Sequence, residues 1–176
     1  MGVKEEFAKL AAYNRWANER LYDGAATLSD DAYRRDLAAF FGSVHATLNH
    51  LLLVDRLWLY RVRGRGGRGG RGGRASPPPA LDSVLFDDFE ELRQARAEED
   101  DGLVGLIEAH GESTFAEVVS YRTGSGREEH NTRVEIFTHL FNHQTHHRGQ
   151  THALLTRLGH PGPVLDYIYF LREATS

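Results

Sequence analysis

The chain has 176 residues, a formal net charge of -4, ten histidines and no cysteine. That length allows one well-cored domain over 1–176, is short for two, and contains no apolar run near the roughly 18–20 residues that cross a bilayer. Without cysteine there is no disulfide, no Cys-ligated zinc and no cysteine nucleophile, so any metal must be held by histidine and carboxylate, and the acidic balance gives no global attraction for nucleic acid or anionic membranes.

The opening MGVKEEFAKLAAYNRW is amphipathic and carries acidic residues. It lacks a basic segment followed by an apolar one, so a cytoplasmic location is the expectation. Residues 5–27 place Phe7, Leu10, Ala11, Asn14, Ala17, Leu21 and Ala25 at intervals of three and four, which predicts a first helix. Ser29-Asp30-Asp31 offers a cap or turn. Residues 36–63 predict a second long helix, because the apolar run far exceeds a strand. Residues 64–79, GRGGRGGRGGRASPPP, cannot hold a helix and read as a flexible loop entering a stiff Pro-rich stretch. Helical periodicity resumes over 82–110, with Asp82 or Ser83 as the expected cap. Residues 113–121 alternate, TGSG follows, and REEHNT returns, which predicts a small β-hairpin. A fourth long helix is expected over 131–158, closed by Gly159 and Pro161. Residues 164–174 predict a short tail helix. The fold class is therefore all-α: a four-helix bundle with a hairpin before the last long helix.

Five histidines fall within THLFNHQTHHRGQTH, residues 138–152. At about 100° per residue, with His143 at zero, Ile136 and Leu154 fall near 20° and Leu140 and Leu158 near 60°. His147 falls near 40°, inside that apolar arc, and His143 at its edge. His139 and His146 lie on the flank, and His152 points nearly opposite. His143 and His147 are thus one turn apart on the buried face, a spacing that can bind one metal ion. A metalloprotease HExxH is excluded, because position 144 is Gln. On the second helix His50 shares its face with Leu53, Val54 and Leu57, whereas His45 lies about 140° away. One histidine from one helix and two from another make a three-His set with an open position, a pattern of catalytic zinc. Nickel or iron can use the same nitrogens. His146, i, i+3 from His143, replaces His147 if the helix is rotated.

At this point the sequence resembles the DinB/YfiT-like family of metal-binding bundles. The resemblance rests on YNRWANERL, on NHLLLVDRLW at 49–58 and on NHQTHHRGQ at 142–150, and it spans nearly the whole chain. It implies an up-and-down four-helix bundle, usually a homodimer, with zinc or nickel held at positions matching His50, His143 and His147. His139 matches a further histidine of that motif and is assigned to the outer shell of the site. Family members of known activity are thiol-dependent transferases and isomerases using bacillithiol, mycothiol or glutathione, so the resemblance implies a low-molecular-weight-thiol S-transferase acting on a small-molecule substrate.

In such a site a coordinated thiol loses its proton at neutral pH, or a coordinated water is activated for hydrolysis. Gln150, near -20°, can fix an imidazole tautomer from the outer shell. Asp55, about 140° from His50, is expected to pair with an arginine or orient another group. Arg148 points away from the centre of the stripe and is expected in a surface or interface salt bridge. Trp16 and Trp58 read as core or interface aromatics. Two other classes stand beside the enzyme. One is a metal-binding bundle without catalysis. The other is single-strand nucleic-acid binding through the five arginines of 63–74, disfavoured because no aromatic interrupts them. The aromatic tail DYIYFL suits either a dimer contact or a cap on the bundle.

Overall fold

A computed structural model describes residues 2–64 and 80–174. The Arg/Gly/Pro loop expected at 64–79 lies, apart from Gly64 itself, outside the described residues. Four long helices make the bundle: α1 (Val3–Ala25), α3 (Val44–Arg63), α4 (Phe89–Ala109) and α5 (Arg133–Arg157). Two short ones, α2 (Asp30–Arg34) and α6 (Tyr167–Glu173), flank them. Between α4 and α5 a 3-10 turn, Glu112–Ala116, leads into the antiparallel hairpin β1 (Val118–Arg122) and β2 (Glu128–Thr132), with Val118 opposite Thr132. No helix among the described residues is long and apolar enough to cross a membrane.

Side-chain pairs give the helix directions. Lys4 reaches Glu108 and Asn14 reaches Asp100, so α1 runs antiparallel to α4. Phe7 packs on Phe137 and Arg148 bonds Asn14, so α1 and α5 run parallel. Arg56 pairs with Glu99 and Arg63 reaches Gly102, so α3 and α4 also run parallel. The order is up-down-down-up. The bundle, hairpin and tail helix stand as the sequence predicts. The strict up-and-down alternation is amended, because two parallel neighbours need a connection that returns along the bundle, about 30 Å for a helix of this length.

Two helix boundaries shift, one through the returning segment and one through a tight loop. Helix α4 starts at Phe89 on an Asp88 cap, not near 82. The backbone before it is already bonded elsewhere: Asn49 Oδ1 accepts from Leu85 and Phe86 N–H, and Asn49 Nδ2 donates to Phe86 O. Helix α3 starts at Val44 on a Ser43 cap, not at 36. Residues 37–42 instead close a tight loop, with Leu37 N–H donating to Gly42 O and Gly42 N–H to Ala39 O. That loop needs φ of 53° at Ala38 and 78° at Gly42, which no helix admits. Ser29 caps α2, and a Thr132/Glu135 capping box opens α5.

The apolar core lies in two parts. Phe7, Leu103, Phe115, Phe137 and Leu140 fill one end, and Leu21, Leu48, Leu52, Leu92 and Leu155 the other. Between them runs a buried polar layer drawn from all four long helices: Asn14, Asn18, Asp55, Arg96, Asp100, Gln144 and Arg148. The histidines discussed next sit beside that layer.

Candidate metal centre

Helix α3 carries His50 in its second turn, and α5 carries His143 and His147 one turn apart. Because α3 and α5 run antiparallel in contact, the three rings converge. Ring centroids are 4.3 Å apart for His143–His147, 4.7 Å for His50–His147 and 5.1 Å for His50–His143. One nitrogen from each ring lies within 4.8 Å of the others, and these three form the cluster of potential metal ligands among the described residues. His50 Nε2 and His143 Nε2 are 3.2 Å apart. Two nitrogens at about 2.0–2.1 Å from one tetrahedral ion lie about 3.3–3.4 Å apart, so this donor set fits such an ion.

The far nitrogens of two rings are held. His50 Nδ1 lies 2.7 Å from Leu81 O, and His147 Nδ1 lies 2.7 Å from Gln150 Oε1. Both partners are acceptors, so each Nδ1 carries the proton and each Nε2 keeps its lone pair. His143 Nδ1 is buried without a hydrogen-bond partner. Burial, with the charges that His147 and His50 would carry beside it, pushes the His143 imidazole down to about 3. Burial also lowers His50 and His147, against the opposing pull of Leu81 O and Gln150 respectively. All three are neutral at pH 7, the state a metal requires.

Two groups around the cluster gave little sequence signal. Phe41 stacks on His50 at 4.0 Å and 27° and lies 5.5 Å from His147, so the 37–42 loop roofs the cluster. Gly42-Ser43, a loop glycine followed by a cap residue, was the available sign that the helix begins later. The Leu81 carbonyl is a backbone atom brought in by the return of the chain, and no residue type marks it.

The other expected residues fall as follows. His139 is exposed, with its ring 5.0 Å from Trp58 and 5.8 Å from His143. His146 is exposed and shares Gln150 with His147, its Nε2 3.1 Å from Gln150 Nε2. His152 packs against the loop at Gly162. Trp16 and Trp58 are half-buried. His45 corrects its expectation: it is buried, with Nε2 3.1 Å from Phe86 O, because the returning segment covers a face that an isolated helix leaves open. Arg148 is also corrected. It is buried rather than at the surface, bonded to Asn14 and Thr145 and set over the Tyr13 ring, because α1 packs on that flank of α5.

Asp55 faces Arg96 at 2.8 Å, and Arg96 forks onto Asp100 at 2.9 and 3.0 Å. Gln144, where HExxH has its Glu, donates to Asp55 Oδ2. Burial pushes the Asp55 carboxyl up to about 6, against Arg96 and Gln144. Burial opposes the charge on Arg96, but Asp100 and Asp55 more than offset it and raise its pKa. Through Gln144 this layer sets the rotation of α5 between His143 and His147.

Comparison with known proteins agrees with this architecture. The curated Protein DinB of Bacillus subtilis (strain 168) is 25% identical over 163 residues, covering 93% of this chain and 92% of that protein. The crystal structure of a DinB-like protein from Bacillus cereus ATCC 10987 superposes with a TM-score of 0.60 at 17% identity, over 84% of this chain and 89% of that one. The DinB family model matches residues 1–175. With the match spanning the bundle, the hairpin and the tail helix, the chain belongs to the DinB family.

Proposed function

We propose that the chain is a metal-dependent enzyme that holds one zinc or nickel ion through His50, His143 and His147 and transfers a low-molecular-weight thiol to a small electrophile. The observation that carries the metal reading is the convergence of three neutral imidazoles, two with Nδ1 already engaged by an acceptor. Histidines that only filled a core would each need a partner for both nitrogens. Here His50 Nε2, its lone pair free, lies 3.2 Å from His143 Nε2, so ring nitrogens from two helices meet at one point.

The protein residues have separable tasks. Leu81 O and Gln150 Oε1 fix tautomer and ring rotation, which raises ligand basicity. Phe41 shields His50 from water on one side. Gln144, bonded to Asp55, offers no free carboxylate where a hydrolase of the HExxH type needs its base. That favours an external nucleophile over activated water. A bound ion supplies a Lewis acid that lets a coordinating thiol lose its proton near neutral pH. In the transfer the sulfur forms a bond to the electrophilic carbon, the leaving group departs with the electron pair of the broken bond, and the thiol proton passes to solvent. Support for a thiol as cosubstrate comes from family resemblance. A homodimer is part of the reading, supported by Ile168 and Tyr169, which are 50% and 45% exposed on the tail helix. Light scattering tests it.

The first test is elemental analysis of untagged protein beside His50→Ala and His147→Ala. About one zinc or nickel per chain, lost in both variants, is expected. Near-zero metal that added zinc or nickel does not change overturns the metal reading. Metal without turnover across a panel of thiols and electrophiles overturns the transferase and leaves a binding bundle.

A further inference from the structure

Beside the histidine cluster, toward the hairpin, α3 presents a second group. The Arg61 guanidinium lies 4.5 Å from the ring centre of Trp58 and 4.5 Å from that of Tyr121. Those rings meet edge to face at 5.3 Å. Trp58 also contacts His139, whose ring centre lies 5.8 Å from that of His143, so three successive contacts lead from Arg61 to a candidate ligand.

Arg61 is half-buried, and burial lowers its pKa, with only Tyr121 acting the other way. No carboxylate lies within ion-pair distance among the described residues. Arg56, five residues earlier on the same helix, has Glu99 at 3.1 Å. The nearby hairpin carboxylates are already engaged: Glu128 by Arg122 at 3.5 Å and Glu129 by Arg127 at 2.5 Å. Of the five N–H donors of Arg61, one nitrogen reaches the Arg122 carbonyl at 3.3 Å, and none is among the buried orphan atoms. The group therefore keeps donors open to solvent while its central carbon is held 4.5 Å from each of two aromatic ring centres. A guanidinium so held is pre-organised for a bidentate carboxylate.

We propose that Arg61, clamped by Trp58 and Tyr121, is the subsite that binds the carboxylate end of a small-molecule substrate or thiol whose reactive end lies at the histidine cluster. This rests on the reading of the cluster as a small-molecule centre. It deepens that reading to a substrate class: a carboxylate-bearing molecule long enough to span the Trp58–His139 face.

The chain has two tryptophans, so a Trp16→Phe background makes Trp58 the sole indole reporter. Zinc-loaded protein is titrated with 2-mercaptoethanol and with ω-mercaptocarboxylates of increasing chain length, reading Trp58 fluorescence. The best carboxylate is expected to bind about tenfold or more tighter than the neutral thiol, the scale of one charged hydrogen-bonded pair. Arg61→Gln is expected to erase that preference while leaving zinc content, thermal midpoint and 2-mercaptoethanol affinity unchanged. Arg61→Lys, which keeps charge without the fork, is expected to retain part of it. Equal binding in the wild type, or a preference that survives Arg61→Gln, overturns the subsite. If neither thiol binds, the thiol reading fails, and if no zinc is taken up, the metal reading fails; in either case metal-free titration with butyrate against butanol decides the subsite alone. Salt-sensitive quenching by butyrate that Arg61→Gln abolishes sustains it, and no quenching overturns it.

Discussion

Replacing Arg96 with Met tests what the polar layer contributes. Arg96 is 3% exposed and holds Asp55 at 2.8 Å and Asp100 through two bonds. Methionine fills most of its volume but leaves two buried carboxylates with only amide donors from Asn14, Asn18 and Gln144. Breaking a buried ion pair by removing one partner costs about 3–5 kcal/mol. For a chain of this size that lowers the thermal midpoint by about 10 °C. Arg35→Met is the internal control, because its pair with Asp31 is 53% and 83% exposed and contributes about 0–1 kcal/mol. Urea unfolding at pH 7 measures both. At pH 5 the loss in Arg96→Met is expected to shrink, since an unpaired buried carboxylate takes up a proton instead. The triple variant Arg96→Met, Asp55→Leu, Asp100→Leu is expected to regain much of the lost stability, as apolar replacement of whole buried ion clusters does. An Arg96→Met loss no larger than that of Arg35→Met refutes the reasoning.

Three further outcomes are expected. His143 has its pKa pushed down to about 3 in the fold, against an ordinary value of 6.5, so the unfolded chain binds the extra proton below 6.5. Metal-free stability due to this residue is complete above pH 6.5 and falls by up to about 2 kcal/mol by pH 5. Denaturation of wild type against His143→Gln across that window isolates the effect, because the opposite contribution of Asp55 cancels in the difference. Gln150→Ala removes the acceptor from His147 Nδ1 and is expected to weaken zinc affinity by about 10–100-fold in chelator competition, with little change in thermal midpoint. Unchanged affinity would show that the hydrogen bond does not orient the ring. Thr132→Ala removes the side-chain half of the α5 capping box, leaving the Thr132 backbone N–H on Glu135, and is expected to cost about 1 kcal/mol in urea unfolding.

The sequence by itself determined the elements that rest on local periodicity. The buried faces of α1 and α5 follow from apolar spacing, and Phe7, Ala11, Leu21, Ile136, Leu140 and Leu154 are buried as that spacing requires. It also brought His50, His143 and His147 onto inward faces, because the direction of a side chain on a helix depends only on 100° per residue. What a neighbouring element covers is not local. His45 and Arg148 point off the apolar stripe, and only the returning segment and α1 bury them. The start of α4 depends on bonds made far along the chain, by Asn49 to residues 85–86, and the start of α3 on the tight loop closed by Leu37 and Gly42. Helix direction, the Leu81 carbonyl at His50 and the Arg61 clamp depend on which strands and helices meet. Periodicity sets which way a residue faces, and tertiary packing decides what it finds there.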